Sequence, residues 1–384
     1  MAPRGRRRPI DVVSVLYRHV NVDVTFSCSL DEEIRTFTRY MEPTSQEVRM
    51  RADLVQRFTT LITSFNINAS IRPVGSYVTG LYLPTSDIDM VITFPFHQTL
   101  TFRSGHSSSL CLFILIGMIR ESGFASKIED VLRARVPLIR ITDKITGIQI
   151  DLTAGKHAVK ATEAVQEWLQ HSSPAKPLLF VLKMFLLIRR CGTTYTGGIN
   201  SYALFWMVVA WVKLEMPKKK PVASYSDYDP LTMALAGLSV SKESAATSSP
   251  NSDGVDLGEL LVKFLKFYGD EFDYERNAIQ ITPTPGYFTK TYGYSRYRIT
   301  QRYLLSIFDP ADSDTSIDMG SKVYGIKHIQ ESFKNAYQSL ADLESKRKSG
   351  QWAGEAGILG SVLGGDYTKF VEMRRLAVAQ ISSV

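Results

Sequence analysis

The chain has 384 residues, 44% hydrophobic and 22% charged, which excludes a disordered or fibrous chain and suits one large domain or two. Three scattered cysteines (Cys28, Cys111 and Cys191) and six dispersed histidines, with no HExxH or CxxC, argue against a disulfide framework and a structural zinc site. The net charge of +7 is local: Arg4, Arg6, Arg7 and Arg8 carry four of these charges and Lys218, Lys219 and Lys220 the other three.

Along the chain, PRGRRRP is too polar for a signal peptide. It reads as a nuclear localisation patch, a nucleic-acid-binding arm or a solvated tail within a basic arm, residues 1–29. Residues 30–65 are predicted helical, because Ser and Thr precede acidic first turns and apolar residues recur at three and four. Residues 68–160 are predicted to be mostly strand, from the β-branched words INASIRPVG, IDMVITF, VPLIRIT and GIQIDLT. Helical periodicity returns in ATEAVQEWLQ, PLLFVLKMFLLIRR, SYALFWMVVAWV and LGELLVKFLKFYG. The longest apolar run, Tyr202 to Val212, is 11 residues and ends at Lys213. It is a core helix, too short to span a bilayer. The stretch 236–256 is Ser-, Ala- and Gly-rich without period and is expected to be a mobile surface loop. The predicted organisation is α+β: an α/β unit, residues 66–160, beside a helical unit assembled from residues 30–65 and 161–384.

The strongest chemical signal is VGSYVTGLYLPTSDIDMVI, residues 74–92. On a strand, positions i and i+2 share a face, so Asp87 and Asp89 project together while Ile88 and Met90 face a core. Two adjacent carboxylates on a rigid strand suit a hard cation such as Mg²⁺. Alternatively they form an exposed pair neutralised by Lys or Arg. Gly75-Ser76 precedes this pair and follows a strand-like word. That position suits either a phosphate-holding turn or an ordinary helix start. VPLIRITDKITGIQIDLT is predicted as a hairpin whose second strand turns Ile148, Ile150 and Leu152 to the core and Asp151 to the other face. Asp151 is a third metal-binding acid, a general base, or a surface acid paired with Lys144 or Lys156.

Together these words resemble the DNA polymerase β-type nucleotidyltransferases, and more closely the noncanonical poly(A) polymerases of the TRAMP, exosome-linked type. The resemblance extends through VLKMFLLIRR, TGGINSYALFWMV, ELLVKFLKFYG and LSIFDPADSDTSIDMGSKVYGIKHIQESFKNAY, from about residue 30 to 365. It implies a mixed-sheet palm domain beside a helical central domain, with the site in the cleft between them. It implies Asp87, Asp89 and Asp151 as catalytic metal ligands, for Mg²⁺ or Mn²⁺, and Gly75 and Ser76 as the phosphate-contacting turn. Lys183 takes the place of a triphosphate-binding lysine. It is the one charge in PLLFVLKMFLLI, so it either meets an anion or snorkels to the surface. Ser201 and Tyr202 match the pair that holds the nucleotide: Ser201 opens a helix, and the tyrosine stacks on a base or is simply a core aromatic. Asp318, Gly320 and Tyr324 match the nucleotide recognition motif, but Ile317 stands where the family has Asn, and DLTAG follows where it has DISFN.

The implied function is template-independent transfer of AMP from ATP to an RNA 3′ end in the nucleus or nucleolus. The implied partners are a zinc-knuckle RNA-binding protein and an RNA helicase, and no membrane. A terminal uridylyltransferase, a polymerase of relaxed nucleotide choice and a scaffold without chemistry are the alternatives. Finally, GYFTKTYGYSRYRITQRY, residues 286–303, interleaves Tyr287, Phe288, Tyr292, Tyr294 and Tyr297 with Lys290, Arg296, Arg298 and Arg302. It suits either a single-strand stacking surface or the edge of a core.

Overall fold

A computed structural model describes residues 29–94, 105–134, 136–171, 174–215, 255–290, 301–312, 317–351 and 357–381. The basic arm, Lys218–Lys220, residues 236–254 of the expected loop and residues 291–300 of the aromatic–basic stretch lie outside these residues.

The first two helices start where their caps dictate. In α1 (Leu30–Met41) the Ser29 hydroxyl accepts from the Glu32 N–H while Glu32 accepts from the Ser29 N–H. Thr44 and Glu47 repeat this reciprocal cap for α2 (Ser45–Ser64). The chain then builds a five-stranded mixed sheet in the order β1-β2-β5-β4-β3. Its strands are β1 (Ser70–Pro73), β2 (Ile88–Thr93), β3 (Ala125–Val131), β4 (Leu138–Asp143) and β5 (Gln149–Ala154). The β4–β5 hairpin turns at Asp143 to Gly147, and β2 runs parallel to β5.

Two helices interrupt the strand-rich region. The short α3 (Gly75–Thr79) follows β1, and α4 (Gly105–Glu121) crosses between β2 and β3. The sequence reading placed α4 within a mostly strand region, because a helix apolar on most sides shows no helical period. Leu112, Leu115, Ile116 and Ile119 are buried, yet Leu110, Phe113 and Ile114 are exposed. One sheet face, α2 and α4 close a core that includes Ile88, Met90, Ile139, Ile150, Leu152 and Phe58.

The remaining helices are α5 (His157–His171), α6 (Ala175–Ile188), α7 (Ser201–Leu214), α8 (Leu257–Lys266), α9 (Ile326–Lys348), α10 (Gly360–Leu363) and α11 (Thr368–Ile381). With the hairpin β6 (Asn277–Gln280) and β7 (Gly286–Thr289), α1, α6, α7, α8 and α9 surround a larger core that holds Phe37, Phe180, Phe205, Trp206, Phe264 and Phe333. The two ends of the described chain meet there. The buried Glu33 carboxylate accepts from the N–H groups of Ile358 and Leu359 at 2.9 and 2.6 Å. No described helix is long and apolar enough to cross a membrane.

Candidate active site

The site grows from the edge of β2. Ile88 and Met90 are fully buried in the sheet core, so alternation turns Asp89 to the opposite face, and Asp87 stands just before the strand on that same side. Both carboxyls are pushed above the usual carboxylate range. Burial is the main cause for each, followed by Asp151 for Asp87 and by Asp87 and Asp151 for Asp89, which reaches about 7. This face therefore holds more negative charge than its surroundings neutralise.

Gly75 is required by the same carboxylate. Its φ is +67°, and a Cβ there would lie 2.6 Å from Asp89 Oδ2. Its N–H donates to Thr162 Oγ1 at 2.8 Å. The close approach that glycine allows here is to Asp89, and Ser76 lines the cavity beside it. Arg51, 1% exposed, sets the loop that delivers Asp87. Its Nη2 donates to the carbonyls of Pro84 and Ser86 at 3.0 and 2.7 Å, and its guanidinium lies over the Tyr82 ring.

Asp151 sits directly opposite Asp89 in the parallel β2–β5 ladder and opposite Arg140 in the antiparallel β4–β5 ladder. Arg140 donates to both of its oxygens, at 2.9 and 2.8 Å. The partner is Arg140 rather than the Lys144 or Lys156 considered from sequence. Among the described residues no three acidic, His or Cys side chains converge to hold one ion. In this arrangement Asp87 and Asp89 line the cavity, while Asp151 is held alongside Asp89 by Arg140. Two buried, hard-oxygen donors short of positive charge fit a divalent cation of the Mg²⁺ type.

Opposite the carboxylates, α6 and α7 supply the far wall of a cavity of about 390 Å³ that Ser76, Asp87, Asp89, Lys183, Ser201 and Tyr202 line. Lys183 does not snorkel. It is 9% exposed, and its ammonium donates to the Leu81 carbonyl at 2.6 Å. Burial pulls its pKa down to about 8, against the attraction of Asp87 and Asp89. Asn200 caps α7 by accepting from the Ala203 N–H, which makes the exposed Ser201 the first helical residue at the cavity rim. Tyr202 packs edge-on against Trp206 and donates its hydroxyl to Asp309 Oδ1 at 2.8 Å.

Comparison with known proteins finds similarity along most of the chain. A family model described as poly(A) RNA polymerase, mitochondrial-like, central palm domain matches residues 30–170, and one described as Cid1 family poly A polymerase matches residues 256–315. The chain is 29% identical over 350 residues to poly(A) RNA polymerase CID14 of Cryptococcus neoformans, covering 88% of this chain and 41% of that protein. It is 27% identical over 335 residues to poly(A) RNA polymerase protein 2 of Saccharomyces cerevisiae, covering 86% of this chain and 51% of that protein. The solved polymerase core of TRAMP, an RNA surveillance complex, superposes with a TM-score of 0.67 at 25% identity, covering 87% of this chain and 93% of that one. These matches make the chain similar to the noncanonical poly(A) RNA polymerases. Its architecture is the polymerase β-like palm with a helical central layer, and it shares that fold with the Cid1 poly(U) polymerase (TM-score 0.60, 21% identity, 82% of this chain and 94% of that one). The chain spans about half the length of the curated relatives it matches.

Within this family frame the recognition segment behaves differently from the sequence reading. Asp318 does not line the cavity. Its Oδ1 accepts from the N–H groups of Ile307 and Gly320 at 3.1 and 2.8 Å, and its Oδ2 accepts from the Ser306 hydroxyl at 2.5 Å. It caps the 3₁₀ turn Met319–Lys322, so its carboxylate shapes the segment instead of reaching a base. Where it is described, the aromatic–basic stretch takes the second of its two readings, the edge of a core. Tyr287 stacks on Phe267, and the buried Lys290 donates to the carbonyls of Tyr274, Arg302 and Leu304. These residues belong to the interior, with Phe288 exposed. Sequence reasoning missed Arg51, Arg140, Thr162, His157 and Asp309. Each acts through a partner between 11 and 152 positions away, and no local pattern marks such a pairing.

Proposed function

We propose that this chain catalyses template-independent addition of AMP from ATP to an RNA 3′ end. The observation that carries the reading is the placement of the Asp87–Asp89 pair across one cavity from Lys183, Ser201 and Tyr202. Asp87 and Asp89 would hold Mg²⁺ or Mn²⁺, which when bound supplies charge to stabilise the in-line displacement at phosphorus. Lys183 offers a buried cation to the triphosphate, and the start of α7 at Ser201 offers backbone N–H groups to phosphate. Tyr202 presents an aromatic ring to the base. Asp151, held beside Asp89 by Arg140, would accept the proton of the attacking 3′-hydroxyl.

Relatives named poly(A) RNA polymerase and a neighbour that is the core of an RNA surveillance complex support a role in marking nuclear RNA for exosome processing. In such a role the chain would work beside a zinc-knuckle RNA-binding protein and a helicase. A relaxed nucleotide choice is favoured by one observation: Ile317 offers no hydrogen-bonding group, and Asp318 is committed to its own turn. The test is extension of a labelled oligo(A) RNA offered each nucleoside triphosphate separately, with Mg²⁺ or Mn²⁺, with and without candidate partners. Extension with ATP first among the four supports the reading. A wild-type chain that extends no RNA under any of these conditions overturns it.

A further inference from the structure

We propose that His157 is a positioning residue of the nucleotide site, acting through Asp309 on Tyr202 to latch the sheet layer against the recognition segment. The inference rests on the reading that a nucleotide enters the cavity. His157 opens α5 three residues after the end of β5, the strand that carries Asp151. It is tied through β5 to the sheet that carries the carboxylates. Tyr202 is the second residue of α7, in the helical layer, and Asp309 lies beyond the bridge that joins Phe308 to Asp318. Three separate segments therefore meet at one carboxylate.

That carboxylate is divided between them. Asp309 is 2% exposed, so its charge must be met by hydrogen bonds. Oδ1 accepts from the Tyr202 hydroxyl at 2.8 Å and the Ala311 N–H at 2.9 Å, and Oδ2 lies 2.9 Å from His157 Nε2. Among the described residues His157 is the one basic side chain within ion-pairing distance of Asp309. His157 and Tyr202 both line the cavity, and the Tyr202 ring is held edge-on by Trp206. A ring that stacks on a base contributes in proportion to how well it is held in place beforehand. Fixing its hydroxyl through Asp309 to the start of α5 sets the ring relative to Asp87 and Asp89. Because the His157 side chain is 52% exposed, its removal opens no hole in a core. What the removal leaves is a buried carboxylate short of one hydrogen bond, at Oδ2.

The test compares wild type with His157→Ala, His157→Gln, Tyr202→Phe and the His157→Ala/Tyr202→Phe double variant, by steady-state extension of an RNA primer and by thermal melting. His157→Ala is expected to raise KM for the nucleotide roughly three- to tenfold, the worth of about one hydrogen bond. Its kcat and its KM for RNA should stay within about twofold of wild type. His157→Gln, whose amide N–H reaches Asp309 from the same length of side chain, should recover most of the loss. The double variant should be little worse than Tyr202→Phe alone, because both changes break one chain of bonds. Additive losses, or a lowered melting point with nucleotide KM unchanged, would overturn the latch. If His157→Ala fails to fold, His157→Gln and Tyr202→Phe carry the comparison: a wild-type KM in Tyr202→Phe overturns the proposal. A wild type that binds no nucleotide in direct titration and extends no RNA overturns the functional reading and the latch with it. Normal wild-type extension with an indistinguishable His157→Ala overturns the latch alone.

Discussion

Asp89 and Asp151 face each other across the parallel β2–β5 ladder, yet their surroundings treat them oppositely. Arg140 grips both oxygens of Asp151, whereas Asp89 has Asp87 two residues away and the backbone of Gly75 pressed against it. One carboxylate is neutralised and fixed, and the other is left in want of a cation. Asp87→Ala and Asp89→Ala should therefore abolish RNA extension while the melting temperature of the metal-free protein holds or rises, since each removes repulsion. Extension and melting measured on the same preparations decide this. A near-normal extension rate in either variant contradicts the assignment.

Without metal, stability should fall as pH rises through the weakly acid range. The Asp89 value near 7 in the folded chain lies above its ordinary value of 3.8, so the folded state binds more protons in that window. Its contribution is complete below about pH 4 and lost as pH climbs through 7, on the order of a few kcal/mol. Urea melts in chelator between pH 4 and 8 should show this slope relative to Asp89→Asn, and millimolar Mg²⁺ should recover the loss at neutral pH. Equal slopes in wild type and variant would rule the effect out.

Lys183 has the opposite sign. Burial lowers its pKa to about 8 from 10.5, so charging it opposes folding, and its contribution improves as pH rises from about 8 toward 10.5. Lys183→Met should leave the fold as stable or more stable at neutral pH, and should raise KM for nucleotide about ten- to a hundredfold with little change in KM for RNA. A destabilised variant with an unaltered nucleotide KM would mean that the ammonium serves only the Leu81 carbonyl.

Gly75→Ala adds strain and a clash, and Gly80→Ala separates the two. Both glycines have positive φ, +67° and +70°, but a Cβ at Gly80 meets nothing within 4 Å. Each should lose roughly 1 kcal/mol of stability. Only Gly75→Ala should also displace Asp89 and lower kcat, by about tenfold or more. Comparable rates in the two variants would show that the Gly75–Asp89 contact is not needed.

Asp318→Ala should destabilise without re-ranking the nucleotides. It removes the acceptor for two backbone N–H groups and the Ser306 hydroxyl, so a loss of about 1–3 kcal/mol is expected. The relative rates with ATP, CTP and UTP should keep their order. Ile317→Asn, which adds an amide donor and acceptor to the segment, is the variant expected to sharpen the preference for ATP. A changed ranking in Asp318→Ala would return base reading to that carboxylate.

Much of the site was legible because its cause is local. Alternation along IDMVIT sends Ile88 and Met90 inward and Asp89 outward, and the same rule places Asp151 on β5. The lone charge in PLLFVLKMFLLI marks Lys183 for the same reason: one lysine among apolar neighbours must be accounted for. The helix α4 was illegible because a helix apolar on most sides has no period to find.

What the sequence by itself determined are those spacings: which acids share a strand face, which lysine sits in the core, where the capped helices begin. Only the tertiary structure decided the pairings. Arg140 took Asp151, Asp318 turned to its own backbone, and Asp309 gathered Tyr202 and His157 from positions 107 and 152 residues away. Side-chain direction follows from the period of a helix or strand and can be read locally. Partner choice depends on which buried charge lies nearest once distant segments have packed, and that is settled by the desolvation of each group in the finished fold.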